Sequence, residues 1–142
     1  MEALIDTSVW VSGAANEPAT AWARAMLDRC ARAYISPIVL GELIAGVEVA
    51  SDAAQRHRRR RVLEEARRAE LLPLGLHTAE EFGFLVAALA QRGRTRSRVN
   101  DLWLAASARE HRLPILTCNP DDFADLPGVR TIGPETPPEA FA

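Results

Sequence analysis

The feature that most constrains the fold is the start of the chain, where a short apolar run ends at an acidic residue. Residues 3–5 are Ala-Leu-Ile, Asp6 follows, and Thr7 and Ser8 come next. Such a run predicts a buried strand, and the hydroxyl pair after it is suited to capping a helix. Because open α/β sheets place their chemistry at the carboxyl ends of their strands, Asp6 is the first candidate site residue.

Strand and helix patterns alternate along the rest of the chain. Further strands are predicted at 33–36, 70–74, 114–118 and 129–132, and helices at about 19–31, 37–50, 52–69, 78–92 and 100–111. The alternation predicts an α/β fold with a central, mostly parallel sheet of four or five strands, flanked by helices on both faces. We expect one domain, 1–142, in which 134–142 form a loose proline-rich tail.

The composition excludes several classes of protein. The 17 basic residues counted as Lys or Arg are all arginine, whereas P-loop enzymes, Schiff-base enzymes and receiver-type phospho-switches depend on a lysine. Apolar runs are too short for a membrane span of about 20 residues. Since Glu2 stands where a secretory signal would carry positive charge, we expect a cytoplasmic protein, with Cys30 and Cys118 as free thiols.

Two later carboxylates are candidates to meet Asp6. On a helical wheel Glu42 lies beside an apolar stripe, and Asp101 lies on a helix that is apolar nearly all round. Three carboxylates on the packed side repel one another unless a cation lies between them, and oxygen donors suit Mg²⁺ or Mn²⁺ rather than zinc. Taken singly, the three acids also fit a strand-end cap, an exposed helix residue and an acid favoured by the helix dipole.

The turn after the strand at 114–118 supplies further polar groups to the same edge of the sheet. Asn119, Asp121 and Asp122 follow Thr117 there. A fourth ligand, or a residue that holds a water molecule, would come from this turn. Acids in such a position are also ordinary turn residues.

Four segments together resemble the PIN-domain ribonucleases, and within them the VapC toxin branch. The segments are 4–8, 36–43, 100–106 and 116–123, and they occur in the family's order and spacing across essentially the whole chain. The resemblance implies that Asp6, Glu42 and Asp101 are metal-binding acids. It also implies that Thr7, beside the first acid, supports these carboxylates or contacts a phosphate.

One position departs from the family pattern. The fourth acid of the family falls at Asn119, which lowers the negative charge of the site and disfavours tight binding of a second metal. Asp121 or Asp122 would have to substitute for it. This departure supports the alternative hypothesis, a catalytically impaired PIN-like module that binds RNA or protein.

The resemblance implies a function as well as a fold. It implies a magnesium-dependent endoribonuclease toxin of a toxin–antitoxin pair, in which a metal-activated water hydrolyses an RNA phosphodiester. The implied partners are a VapB-type antitoxin and a second copy of the chain in a homodimer. A haloacid-dehalogenase-like phosphatase is disfavoured, because that class needs an acid at position 8 and a lysine, whereas Ser8 stands here.

Two arginine clusters are candidates to hold RNA near so many carboxylates. Residues 56–61 contain five arginines and His57, and a second cluster comprises Arg92, Arg94, Arg96 and Arg98. The first cluster is more typical of a solvated helix surface or of a docking face for an acidic partner. The second lies just ahead of Asp101, so Arg94, Arg96 and Arg98 are the candidate RNA-binding residues.

Overall fold

The structure, a computed structural model, describes residues 1–15, 17–93 and 98–136. Its strands are β1 (Glu2–Ile5), β2 (Arg32–Ile35), β3 (Glu70–Leu71), β4 (Ile115–Leu116) and β5 (Thr131–Ile132). They form one sheet in the order β3-β2-β1-β4-β5, and every neighbouring pair is parallel. The predicted α/β fold with a parallel sheet is confirmed, with five strands.

Five of the six helices of the described residues correspond to those predicted from the sequence, mostly with shorter bounds, whereas the first helix, which follows β1, is longer than the short helical turn that the sequence indicated there. The helices are α1 (Thr7–Ala14), α2 (Ala21–Arg29), α3 (Pro37–Glu48), α4 (Ala53–Ala66), α5 (Leu76–Gln91) and α6 (Val99–His111), with 3₁₀ turns at Pro18–Thr20 and Pro120–Phe123. Polar side chains cap two of them: the Ser36 hydroxyl accepts from the N–H of Ile38 at 3.1 Å, and the Asp52 carboxylate accepts from that of Gln55 at 2.8 Å.

The strand order reverses direction at β1. The chain passes from β1 to β2 and β3 on one side, then returns to β4 and β5 on the other. Right-handed crossovers in the two directions place the connecting helices on opposite faces of the sheet. The carboxyl ends of β1 and β4 therefore flank a topological switch point, which is where open α/β sheets bind their ligands.

The sheet lies at the centre of the core. Ala3, Leu4 and Ile5 of β1 and both residues of β4 are fully buried, because these strands have a neighbour on each side and helices above and below. Six residues of α6, from 102 to 108, are also buried, which confirms the prediction from its nearly uniform apolar character. Trp103, on the same helix, is only partly buried and stacks on Phe82 with ring centroids 4.0 Å apart.

The start of α5 differs from the prediction. The sequence 78–81 is typical of a capping box that opens a helix at Thr78, yet α5 begins at Leu76. Thr78 is fully buried, accepts a hydrogen bond from the N–H of Gly75 at 3.0 Å and donates one to Glu110 of α6. Its hydroxyl joins α5 to α6, a tertiary role that a local pattern does not reveal.

Several further expectations concern the cysteines, the membrane and the tail. Cys30 and Cys118 are free thiols, as predicted. None of the helices in the described ranges combines the length and the apolar character that crossing a bilayer requires. Residues 134–136 form a turn, and the remainder of the predicted tail, 137–142, lies outside the described residues.

Candidate metal centre

Asp6 lies at the switch point between β1 and β4 and joins the sheet to the first helix. It follows the last residue of β1 and is the N-cap of α1, where its Oδ1 accepts a hydrogen bond from the N–H of Thr7 at 2.9 Å. Its own N–H donates to the carbonyl of Leu116 in β4 at 3.0 Å. Backbone and side chain together fix this carboxylate at the carboxyl edge of the sheet.

Two hydroxyl groups hold the other oxygen of Asp6. The Ser8 hydroxyl donates to Oδ2 at 2.7 Å and the buried Thr117 hydroxyl donates to the same atom at 2.9 Å. Each hydroxyl in turn accepts from a backbone N–H, that of Cys118 at 3.1 Å for Ser8 and that of Asn119 at 3.0 Å for Thr117. Because the hydroxyl oxygens are occupied as acceptors, their protons are directed at the carboxylate of Asp6 and fix its orientation.

Glu42 reaches the same region from α3, although its side chain is exposed and does not point to the packed side as the wheel predicted. The buried stripe of α3 consists of Val39, Leu43 and Val47, and Glu42 lies at its rim. Its Oε1 accepts a hydrogen bond from the Thr7 hydroxyl at 3.1 Å. Partial burial raises the pKa of Glu42 and the charge of Asp6 adds to this, while the bond from Thr7 acts in the opposite direction.

Asp101 lies in the first turn of α6, with 21% of its side chain exposed. Its Oδ2 is buried and has no hydrogen-bond partner among the described residues. Burial raises the pKa of Asp101 to about 6, the charges of Asp6, Asp122 and Glu42 add to this, and the charge of Arg98 acts in the opposite direction. The carboxyl is thus surrounded by like charges and is incompletely satisfied.

Among the described residues, Arg98 is the cation in contact with these acids. Its Nε lies 3.2 Å from Oδ2 of Asp101, and its Nη1 makes a closer contact with Oδ1 of Asp122. The contact with Asp101 is an ion pair without hydrogen-bond geometry. Since 59% of the Arg98 side chain is exposed, solvent weakens both pairs. The predicted RNA-binding residue therefore lies against the carboxylates, and it also draws Asp122 towards them.

The other sequence candidates lie around this cluster or outside the described residues. Asn119, at the position of the family's fourth acid, is exposed, as is Asp121 on the following turn. Arg94 and Arg96 fall in 94–97, which the structure does not describe. Sequence reasoning missed the contacts that Ser8 and Thr117 make with Asp6. The signal for Ser8 was its place two residues after the acid, where a side chain can bond back to a helix cap.

The chemistry of these residues fits a divalent cation. In the ranges that the structure describes, no three acidic, histidine or cysteine side chains stand close enough together to hold an ion unaided. However, the buried Oδ2 of Asp101 lacks a donor, and its neighbours Asp6, Glu42 and Asp122 are all hard oxygen donors that raise its pKa. A hard cation would satisfy that oxygen and remove the repulsion, so Asp6 and Asp101, with Glu42, are the residues able to hold it.

Comparison with known proteins gives a consistent set of similarities. The family model of the PIN domain matches residues 3–129. Ribonuclease VapC5 of Mycobacterium tuberculosis is 36% identical over 130 residues, which cover 91% of this chain and 90% of that protein. Ribonuclease VapC of Rickettsia bellii is 31% identical over 134 residues, which cover 93% and 96%.

A solved structure shows the same architecture. The crystal structure of VapBC-5 from Mycobacterium tuberculosis, a member of the VapBC family of toxin–antitoxin systems, superposes with a TM-score of 0.75 at 29% sequence identity. The superposition covers 93% of this chain and 98% of that one. The likeness therefore extends over the whole arrangement of sheet and helices that positions the acids.

Proposed function

Because this chain belongs to the PIN domain family, in its VapC branch, we propose that it is a magnesium-dependent endoribonuclease, the toxin of a toxin–antitoxin pair. The names of its relatives support the reaction class, since both are ribonucleases. The buried, unsatisfied carboxyl of Asp101 among three like-charged neighbours supports the need for a metal.

The proposed reaction is hydrolysis of an RNA phosphodiester that leaves a 5′-phosphate and a 3′-hydroxyl. Asp6 and Asp101 would hold a Mg²⁺ ion, with Glu42 binding it directly or through water. Bound there, Mg²⁺ would acidify a water molecule for in-line attack and neutralise charge on the reacting phosphate.

The remaining residues of the site would hold the acidic side chains in position. Ser8 and Thr117 fix the carboxylate of Asp6 from one side, and the N–H of Thr7 fixes it from the other. The hydroxyl of Thr7 holds Glu42 at the rim. Such outer contacts orient metal ligands and typically change metal affinity or activity 10–100-fold when they are removed.

The single observation that carries the proposal is the environment of Asp101. A carboxyl whose pKa is raised to about 6 by burial and by three other acids destabilises the folded protein at neutral pH, and groups of this kind are typical of functional sites. Elsewhere in the described chain, partly buried acids such as Glu81 and Glu110 have donors. The acids at the switch point are therefore candidates for a site rather than for structural pairing.

The direct test is cleavage of RNA by purified Asp6→Asn and Asp101→Asn variants with and without Mg²⁺. We expect each variant to lose more than about a hundredfold in rate, because each removes a ligand rather than a residue that merely orients one. Glu48→Gln, a neutralised acid on the exposed side of α3, is the matched control and should cleave like the wild type. Full activity in Asp6→Asn or Asp101→Asn would reject the assignment.

The proposed partners follow from the same family. The solved relative belongs to a toxin–antitoxin system, so we propose a VapB-type antitoxin as partner, a homodimeric toxin and activity in the cytoplasm, where the RNA substrate is. Co-expression with the product of an adjacent antitoxin gene should inhibit cleavage, and the two chains should copurify. An active toxin that no neighbouring gene product inhibits would contradict this part.

The second candidate function is a PIN-like binding module without catalysis. It is favoured by Asn119 at the position of the family's fourth acid and by the loose spacing of the acids. Thermal unfolding in a Mg²⁺ titration separates the two. Magnesium should stabilise the wild type but not Asp101→Asn if the ion binds there, whereas equal melting curves for both would favour the binding module.

A further inference from the structure

The helix α4 carries a dense cluster of arginines that the proposed catalytic site does not use. Residues 53–68 contain seven arginines and two glutamates, Glu64 and Glu65. Ten arginines and seventeen acids lie in the rest of the chain, and the formal charge of the whole chain is −2. The positive charge is therefore concentrated on one helix of a protein that is otherwise acidic.

Six of the seven arginines are exposed, and we call them the basic face of α4: they are Arg56, Arg58, Arg60 and Arg61 within the helix, and Arg67 and Arg68 directly after its end. None of the six lies within ion-pair distance of a carboxylate in the described ranges. Glu65, one of the two glutamates of this segment, is paired with Arg24 of α2 at 2.7 Å. The charges of this face are thus available to a ligand that approaches from solvent.

The arginines are ordered along the helix. Arg56 and Arg60 are four residues apart, and Arg67 lies about two turns further on at nearly the same angle around the axis. At the usual helical rise this row is about 16 Å long. A row of guanidinium groups of that length matches several phosphates of an extended nucleic acid strand, because each group is suited to a phosphate oxygen pair.

The seventh arginine, Arg59, links α4 to α3, the helix that carries Glu42. Arg59 points inward, and its Nη1 donates to the carbonyl of Gly46 in α3 at 2.7 Å. Gly46 lies one turn after Glu42. Since α3 begins at the carboxyl edge of the sheet and α4 packs against both α3 and α1, the basic face belongs to the same unit as the acidic site.

The chemistry of this face favours a polyanion over a protein. The exposed large hydrophobic residues of the described chain are Val11, Ile44, Val49, Leu71, Leu76, Phe84 and Val99, none of which lies in α4. Protein interfaces are centred on buried apolar or aromatic residues, and this face offers none. Affinity from charge alone, without an apolar anchor, is typical of binding to a nucleic acid backbone.

We propose that the basic face of α4 binds the phosphate backbone of the RNA outside the cleavage site. This inference rests on the proposed ribonuclease function and deepens it, because it assigns a second contact with the substrate. The acidic switch point repels phosphates, so a separate positive surface holds the strand while the acids act on one bond. Backbone contacts of this kind supply affinity and do not read sequence.

The test is the salt dependence of RNA binding by the double variant Arg56→Gln/Arg60→Gln. The probe is a fluorescein-labelled single-stranded oligoribonucleotide, and binding is followed by anisotropy in EDTA, so that no cleavage occurs. Losing two phosphate contacts should lower the slope of log K against log salt by about 1.4 and weaken binding at low salt. Cleavage of a short oligonucleotide at saturating concentration should stay within about twofold, because the acids are untouched.

The matched control is Arg112→Gln/Arg130→Gln, which removes the same charge from two exposed arginines outside α4. Its slope should equal that of the wild type, and thermal unfolding should show that both variants are folded. An unchanged slope for Arg56→Gln/Arg60→Gln would overturn the proposal. So would a loss of binding to polyglutamate with RNA binding unchanged, since that result would identify an acidic protein as the partner of this face.

The two proposals fail separately in this design. If the wild type cleaves RNA and the α4 variant keeps the full salt slope, the ribonuclease assignment is supported and the role of the basic face in RNA binding is rejected. If the wild type binds RNA through α4 but Mg²⁺ induces no cleavage, the role of the basic face in RNA binding is supported and the catalytic assignment is rejected.

Discussion

The charged side chains at the two ends of α6 lie in opposite kinds of environment. At the C-terminal end, Nε of Arg109 pairs with Glu81 of α5 at 2.6 Å, its Nη1 donates to the carbonyl of Pro127, and its guanidinium lies 4.4 Å from the ring centroid of Phe84. At the N-terminal end, Oδ2 of Asp101 is buried without a hydrogen bond. One helix thus carries a cation with three favourable partners and an acid with a buried oxygen that lacks a hydrogen bond.

The comparison distinguishes a charge that stabilises the fold, that of Arg109, from a charge whose burial is poorly compensated, that of Asp101. Arg109 has an opposite charge, a carbonyl and an aromatic ring as partners, so its burial is compensated. Asp101 has Asp6, Glu42 and Asp122 as neighbours and only the exposed Arg98 as a counterion. Such a cluster does not stabilise the fold, and the proposed metal site would give a physical reason for it.

The largest effect on stability should come from the satisfied end. Arg109→Ala removes the ion pair with Glu81 and the packing on Phe84, and it leaves partly buried acceptors without a donor. We expect the free energy of unfolding to fall by about 3 kcal/mol, measured by urea denaturation. Arg130→Ala, an exposed arginine nearby, should change it by less than about 0.5 kcal/mol. A loss below about 1 kcal/mol for Arg109→Ala would remove the contrast between the two ends.

The next effect concerns the hydroxyls that hold Asp6 without adding charge. The double variant Ser8→Ala/Thr117→Val removes both donors to its Oδ2 while it conserves the approximate shape of the site. We expect RNA cleavage to fall ten- to a hundredfold, with Mg²⁺ binding weakened, because the ligand is no longer fixed. Thr131→Val, on the last strand of the sheet, is the control. If cleavage by the double variant is unchanged, these hydroxyls serve only the packing between β1 and β4.

Sequence reasoning predicted the parts of the fold whose signal is local. The strand β1 and the helix α6 were recognised because an apolar run that stops at an acid and a helix apolar all round each have one main structural explanation. The start of α5 was wrong because Thr78 bonds to Glu110, 32 residues away, and a capping box is a pattern within one turn. The wheel likewise could not show that Glu42 lies at the rim of the buried stripe of α3.

The site was predictable as a set of residue types but not as a set of contacts. Asp6, Glu42 and Asp101 were candidates from their positions in predicted elements and from the family resemblance. The bond from Thr117 to Asp6 joins residues 111 positions apart and exists because β4 pairs with β1. Register between strands so distant is set by the whole core, which is why the contacts of Ser8, Thr117 and Arg98 needed the structure.

A third prediction concerns stability and pH at the unsatisfied end. The pKa of Asp101 is about 6 in the folded protein and near 3.8 when exposed, so the folded state binds more protons between these values. Stability of the metal-free protein should therefore fall as pH rises from about 4 to 6, by about 2 kcal/mol, and change little above that. Asp101→Asn should flatten this slope in EDTA, measured by urea denaturation across the range. A slope unchanged by the substitution would mean that Asp101 is already compensated.

The smallest effect should come from Arg98, the cation that partly offsets the repulsion. Its guanidinium contacts Asp101 and Asp122 but is 59% exposed, and exposed pairs of this kind contribute at most about 1 kcal/mol. A divalent ion at the acids would have to compete with it. We therefore expect Arg98→Gln to bind Mn²⁺ up to about fivefold more tightly in the absence of RNA, measured by calorimetry, with Arg112→Gln unchanged. Weaker binding of Mn²⁺ by Arg98→Gln would show instead that Arg98 orients Asp101 for the metal. The carboxylate at the N-terminal end of α6 would then be held in place by Arg98, although its Oδ2 lacks a hydrogen bond.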